Sequence, residues 1–129
     1  MPQLSDIMRP ELIVAAPEDT LGEVADRMNE VNVGAVIVKD YGRLIGILTE
    51  RDMLKAMGAR VHTSEARVRQ WMTEDPITAP HDMDVEEAAR IMLDNGFRHL
   101  PVVDEAGRVI GVVSLRRVVA ATNVAAEPA

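Results

Sequence analysis

The stretch GRLIGILTERD at residues 42–52 returns in altered form as GRVIGVVSLRR at residues 107–117. Both copies begin with Gly-Arg, continue as an apolar run around a central glycine, and end that run on a hydroxyl residue, Thr49 or Ser114. Upstream residues match in the same order, and the small changes in offset fall in turns, where a structural repeat tolerates insertions. We therefore interpret the chain as an internal duplication.

Each copy predicts the element order β-α-β-β-α. The first helix of each copy opens on a capping-box pattern, at Thr20-x-x-Glu23 and Asp84-x-x-Glu87. Two β-rich runs joined by a short turn follow, which is typical of a hairpin. The predicted first strands are 12–15 and 76–79, and the predicted helices are 20–31, 49–58, 84–95 and 114–122.

The predicted architecture is α+β, with the two copies packed sheet to sheet as a pseudo-two-fold pair and the helices outside. A unit of about 55 residues buries too little surface to be secure alone, and both hairpins are apolar on two faces. The expected division is a first unit at 1–63, a connecting helix at 64–72, a second unit at 73–122 and a disordered tail at 123–129.

Composition excludes several classes of protein. The 129 residues contain no cysteine, which removes disulfides, zinc–thiolate sites and thiol catalysis. A formal net charge of -7 and only one Trp, one Tyr and one Phe argue against nucleic-acid binding. The longest uncharged run, Val118 to Ala126, is too short to span a membrane, and charges interrupt the N-terminus, so we expect a cytoplasmic protein.

The tandem order, with each copy closing on a Gly-x-x-(Thr/Ser)-x-x-(Asp) run, resembles a CBS-domain pair, also called a Bateman module. The stretches that carry the resemblance are 6–8 and 70–72 at the starts of the copies, 34–40 and 98–104 in the middle, and 46–52. The resemblance covers residues 4–122, and it implies a regulatory module that binds AMP, ADP or ATP, and sometimes S-adenosylmethionine or NAD, in clefts between the units. It also implies a homodimer. We expect a stand-alone module that acts on an unknown protein partner.

Thr49-x-x-Asp52 is the strongest candidate for ligand chemistry. Thr49 lies where a strand ends and a helix begins, and the free amides of a helix start favour a phosphate. Asp52, in the first turn, can accept hydrogen bonds from a ribose cis-diol. The same pattern is also a variant capping box that needs no ligand, and both interpretations stay open on these residues alone.

The second copy departs from this pattern, because Arg117 stands where the ribose-binding aspartate is expected. Arginine has no hydrogen-bond acceptor, so the diol contact is lost and the two clefts should be unequal. Arg117 either reaches a phosphate bound next door or is a solvated helix residue. We therefore expect one nucleotide to bind tightly per chain.

By the resemblance, each cleft joins the turn of one copy to strands of the other. Ile77 and Phe97 would sandwich adenine, while Arg98 and His99 would meet the phosphates. The main predicted cleft comprises Ile47, Thr49, Arg51, Asp52, Pro76, Ile77, Thr78, Phe97, Arg98 and His99. The second, weaker cleft comprises Ile13, Val14, Val33, Gly34, Ala35, Ser114 and Arg117.

Neither catalysis nor a metal site is predicted. The sequence contains no phosphate-binding glycine loop and no defensible Ser/His/Asp set, and its three histidines lack ligand spacing. The leading hypothesis is a sensor of adenine nucleotides without a cofactor. The alternatives are an assembly module with vestigial clefts, or a sensor of S-adenosylmethionine or NAD.

Overall fold

The computed structural model of the chain describes residues 2–10 and 13–126, with side chains as far as Thr122. The predicted β-α-β-β-α order occurs twice, and the predicted mixed α+β fold with two sheets is confirmed. The elements are α1 Leu4–Ile7, β1 Val14–Ala15, α2 Leu21–Val31, β2 Ala35–Asp40, β3 Arg43–Thr49, α3 Glu50–Gly58, α4 Val68–Trp71, β4 Thr73–Glu74, β5 Ala79–Pro80, α5 Val85–Asn95, β6 His99–Val103, β7 Val109–Ser114 and α6 Leu115–Ala126.

Each copy forms its own sheet around the predicted hairpin. The first sheet has the order β1-β2-β3-β4 and the second has the order β5-β6-β7. In both, the hairpin strands are antiparallel, and the short strand that precedes the helix joins the hairpin in parallel. A right-handed crossover through the helix is the usual way to make such a parallel neighbour.

Packing divides the chain into two compact units that do not follow the sequence repeat. The first unit is Ile13–Pro76, and the second unit combines Met1–Leu12 with Ile77–Ala129. The predicted boundaries at 63 and 72 are therefore not the places where packing changes. The segment before the first copy packs with the second copy, and the segment between the copies packs with the first.

We call these segments straps: the N-terminal strap is residues 2–10, and the linker strap is residues 67–74. They make the same backbone contacts 64 positions apart. In the N-terminal strap, the amides of Leu4 and Ser5 donate to the carbonyls of Met83 and His81. In the linker strap, the amides of Val68 and Arg69 donate to the carbonyls of Asp19 and Pro17. The duplication therefore includes the straps as well as the β-α-β-β-α copies.

A glycine in each hairpin lets the strap reach the edge of the sheet. A Cβ on Gly46 would lie 2.7 Å from Met72 Sδ and 2.9 Å from the Thr73 carbonyl oxygen. A Cβ on Gly111 would lie 2.6 Å from Met8 Sδ and 2.9 Å from the Arg9 carbonyl oxygen. No side chain would fit at either position. The repeated glycine therefore lets the strap backbone lie close to the hairpin strand, which is a common reason for glycine within a strand.

The core of each unit combines a helix stripe, the hairpin and the strap. Fully buried side chains supply the apolar area, and burying one Val or Leu is worth roughly 1.5–3 kcal/mol. Both straps contribute, since Leu4 and Val68 have no exposed surface. The other buried members from the first helices are Leu21, Val24 and Met28 in the first unit and Val85, Ala88 and Met92 in the second.

Two helix predictions are wrong. The connecting helix was expected at 64–72, but α4 contains only Val68–Trp71. The residues before it turn back onto α2, because the carbonyls of Thr63 and Ala66 accept the amides of Gly22 and Leu21. At the other end, α6 continues to Ala126 rather than stopping at Thr122, so the predicted disordered tail starts within a helix, and residues 127–129 lie outside the described residues.

Two local details also differ from expectation. The Thr20–Glu23 capping box is present. Asp84 occupies the N-cap position of α5, but its side chain makes no capping hydrogen bond. The amide of Val85, the first residue of α5, donates to the carbonyl of Pro2 in the N-terminal strap. The predicted strand at 76–79 begins later, at β5, because only Ala79 and Pro80 lie in register with Val102 and Val103.

An ion pair joins the end of β5 to the hairpin turn of the second unit. His81 Nε2 lies 2.8 Å from Glu105 Oε1. The hydrogen bond to Glu105 raises the pKa of His81, with Asp82 and Asp104 adding to the same direction, while His81 lowers the pKa of Glu105. The contact therefore depends on both charges.

Stability from this pair should have a pH window. The raised pKa of His81 gives stabilisation that is complete below its ordinary value, about 6.5, and is lost as pH rises through the folded-state value. The lowered pKa of Glu105 gives stabilisation that is lost as pH falls through its own folded-state value. We expect Glu105→Gln to lower the melting temperature at pH 5.5 by more than at pH 8.5, whereas Glu86→Gln, also exposed, should show no such difference. An equal effect of Glu105→Gln at both pH values would contradict the pairing.

Candidate ligand-binding turns

The strand-to-helix turn at Thr49–Asp52 is a complete capping box. The hydroxyl of Thr49 accepts the amide of Asp52 at 3.3 Å, and Oδ2 of Asp52 accepts the amide of Thr49 at 2.9 Å. The Thr49 hydroxyl also donates to the same Oδ2 at 3.1 Å. The structure thus shows the capping role that the sequence left open, and it leaves the ligand role as a prediction.

Asp52 retains an unused acceptor despite its burial. Only 7% of the residue is exposed, and every hydrogen bond that its carboxylate accepts from the described residues goes to Oδ2. The other oxygen, Oδ1, accepts no hydrogen bond from the described residues. One oxygen holds the turn while the other remains available to a donor from outside.

The first turn lies beside the start of β2. Ala35 pairs with Thr49 in the hairpin register, and the carbonyl of Gly34 accepts the first helical amide, from Glu50, at 2.9 Å. Two small residues, Gly34 and Ala35, therefore flank the turn. Ile47, two residues before Thr49, pairs with Thr73 of the linker strap.

The second turn repeats this geometry with different chemistry. The Ser114 hydroxyl accepts the amide of Arg117 at 3.2 Å, which caps α6, but Arg117 offers no acceptor in return. His99 pairs with Ser114, and the carbonyl of Arg98 accepts the amide of Leu115 at 2.7 Å. Arg98 and His99 thus stand where Gly34 and Ala35 stand in the first unit.

Within each unit the structure brings together residues that the sequence analysis assigned to different clefts. Gly34 and Ala35 adjoin the Thr49 turn, and Arg98 and His99 adjoin the Ser114 turn. The sequence could have predicted this proximity. Counting residues back across each hairpin turn identifies the residues that pair with Thr49 and Ser114. Joining the two units into clefts stays a prediction. The first unit holds Ile13, Val14, Val33, Gly34, Ala35, Ile47, Thr49, Arg51, Asp52 and Pro76, and the second holds Ile77, Thr78, Phe97, Arg98, His99, Ser114 and Arg117.

The described residues show neither a metal-binding cluster nor a membrane-spanning helix. No group of three or more His, Asp or Glu side chains there is arranged to hold a metal ion. No described helix is long and apolar enough to cross a bilayer.

Comparison with known proteins decides the family. The sequence profile of the CBS domain matches residues 4–59 and again residues 68–123. The chain belongs to the CBS domain family. The two matches coincide with the two β-α-β-β-α copies, so the chain contains a CBS pair.

One curated protein and two solved CBS-pair proteins illustrate the similarity. An uncharacterised 17.7 kDa protein of Acidianus ambivalens is 39% identical over 115 residues, which are 88% of this chain and 69% of that protein. The CBS pair of protein MJ0100, solved with 5-methylthioadenosine and S-adenosyl-L-methionine, has 26% identity and a TM-score of 0.86, and the match covers 96% of this chain and 98% of that one. CBSX2, solved in complex with AMP, has 27% identity and a TM-score of 0.76, covering 95% and 97%.

Proposed function

We propose that this CBS pair is a regulatory sensor of an adenine nucleotide (AMP, ADP or ATP) and acts on a protein partner. The observation that carries the proposal is Asp52, whose buried carboxylate holds the helix turn through Oδ2 and keeps Oδ1 available. A ribose cis-diol supplies two hydroxyl donors, and a charged acceptor makes such hydrogen bonds stronger than neutral ones.

The ligands of similar CBS pairs support the choice of an adenosine compound. MJ0100 was solved with 5-methylthioadenosine and S-adenosyl-L-methionine, and CBSX2 with AMP. Adenine and ribose are the parts that these ligands share. A sensor that recognises this shared part needs a diol acceptor, and Asp52 supplies one at the strand-to-helix turn of the first unit.

The proposed mechanism is a change in equilibrium between states of the pair. A ligand shifts such an equilibrium only by its difference in affinity for the two states. In the proposed cleft, Ile77 and Phe97 sandwich adenine, while Arg98 and His99 meet the phosphates. The assignment of Arg98 and His99 competes with their position beside Ser114, where they would instead serve an anion in the second cleft.

One observation favours the alternative of an assembly module. The Thr49–Asp52 capping box is complete without any ligand, so helix capping alone accounts for both residues. Sensing of S-adenosylmethionine or NAD is the remaining alternative, since both contain the same adenosine group. Homodimerisation and a cytoplasmic location also stay predictions; the exposed Leu54 and Met57 on α3, 66% and 70% accessible, are the surface that supports a homodimer.

A ligand screen by thermal shift and calorimetry tests the proposal. We expect AMP, ADP or ATP to raise the melting temperature, with stabilisation of about 2.7 kcal/mol at 100 times the dissociation constant. Calorimetry should give one tight site per chain, because Arg117 replaces the second diol acceptor. Two equivalent sites would contradict the asymmetry, and no response to AMP, ADP, ATP, S-adenosylmethionine or NAD would favour the assembly module.

A further inference from the structure

A shallow, open pocket of ≈ 400 Å³ lies on the surface of the first unit, formed by the loop that follows α3 and by α4. This volume is within the range of small-molecule sites. None of its lining residues belongs to the predicted nucleotide clefts. The lining residues are Val61, His62, Glu65, Ala66, Gln70 and Trp71.

The pocket breaks the symmetry of the duplication. Trp71 is the only Trp of the chain, and its counterpart in the N-terminal strap, 64 positions earlier, is Ile7. Part of Trp71 packs against the core of the first unit, together with Val61. Trp71 as a whole is half-buried, and it is one of the residues that line the pocket. An aromatic side chain therefore stands in the linker strap where the N-terminal strap has an aliphatic one.

The charge of the lining is negative. Glu65 is its only acidic or basic residue apart from His62, and its carboxylate forms no ion pair with any described residue. Two neighbouring cations are occupied elsewhere, because Arg69 pairs with the Glu18 carboxylate at 2.6 Å and Arg67 donates to the Glu18 carbonyl at 3.0 Å. The pocket thus offers an aromatic ring and a carboxylate that forms no ion pair with a described residue.

We propose that this pocket binds a small organic cation with an apolar body, of the alkylammonium class. An aromatic face attracts ammonium groups through its quadrupole, most strongly for Trp, and Glu65 adds an opposite charge. The apolar body would contact Val61 and Ala66. This site is separate from the nucleotide turn and does not depend on the proposed function.

Fluorescence of Trp71 provides a direct test on the intact chain. Choline is the probe, and 3,3-dimethyl-1-butanol, which has nearly the same shape without the charge, is its neutral control. We expect choline to change the emission saturably in the millimolar range and the alcohol to have little effect. Equal responses to both, or no saturable response to choline, would overturn the proposal.

Substitution of the carboxylate separates binding at this pocket from a general charge effect. Glu65 is exposed, so Glu65→Gln should keep the fold and bind choline about fivefold more weakly. Glu30→Gln, an exposed site on α2 outside the pocket, should bind choline like the wild type. Equal affinity of Glu65→Gln and wild type would overturn the assignment of Glu65, and direct competition between AMP and choline would assign the pocket to the nucleotide site instead.

Discussion

Leu4→Ala should lower the free energy of unfolding of the second unit by about 2–5 kcal/mol. Leu4 has no exposed surface and belongs to the same core as Leu100 and Val113. Truncation leaves a cavity that the surrounding strands fill only in part. Leu4 precedes the first copy in sequence but packs in the second unit. If the N-terminal strap packs as described, the substitution destabilises the second unit; if each copy packed only with the segment that precedes it, the first unit would be destabilised instead.

Amide hydrogen exchange can locate the effect. In Leu4→Ala, the amides of Val102 and Val113 should lose protection, and Leu93→Ala, the same change at an exposed site of the same unit, should leave them nearly unchanged. Trp71 fluorescence follows the first unit independently in the same sample. Selective loss of protection around Val36 and Leu48, with the second unit unaffected, would contradict the packing of the N-terminal strap.

Asp52→Ala should weaken nucleotide binding by about ten- to a hundredfold, which corresponds to about 1.5–3 kcal/mol for a charge-assisted hydrogen bond. The variant also loses the capping bonds to Thr49. That loss should reduce stability by only about 1 kcal/mol. Calorimetry with the best ligand of the screen measures the first effect, and thermal unfolding measures the second.

Asp52→Asn separates these two roles. Asparagine keeps an oxygen that can accept the Thr49 amide, but it lacks the negative charge that favours the ribose diol. We therefore expect Asn to retain most of the melting temperature and to lose most of the affinity. Wild-type affinity in both variants, with a lower melting temperature in Ala alone, would mean that Asp52 is a helix cap only.

The sequence was most informative where local rules act. The Thr20–Glu23 capping box and the stripe through Leu21, Val24 and Met28 depend on residues within two helical turns of each other. The hairpins likewise follow from apolar runs on either side of a short turn. These features fixed the element order, and the duplication extended each local prediction to a second copy.

Sequence reasoning failed where distant backbone decides the structure. Residues 64–67 were expected to be helical, yet Thr63 and Ala66 use their carbonyls to bind the start of α2. Nothing in a helical pattern reveals a competing partner forty residues away. The straps could not be predicted for the same reason. The need for glycine at positions 46 and 111 becomes clear only from the structure, where a strap lies directly against each of them.

The candidate site was predictable in part. Thr49 and Asp52 could be selected because a strand-to-helix turn with a hydroxyl and a carboxylate has recognisable chemistry. Their reciprocal bonds, and the acceptor left on Oδ1, depend on side-chain rotamers that a sequence does not specify. The position of Arg98 beside Ser114 required the hairpin register, which combines the turn length with a bulge between Val102 and Val103.

The two straps also suggest how such a chain could have arisen. Each copy carries, ahead of its own β-α-β-β-α unit, the strap that completes the other copy's unit. Two separate single copies that exchanged their straps would complete both units in the same way, and their folding would then depend on protein concentration. In the fused chain the exchange is intramolecular. The covalent linker keeps each strap at a high effective concentration near its unit, so folding no longer depends on protein concentration.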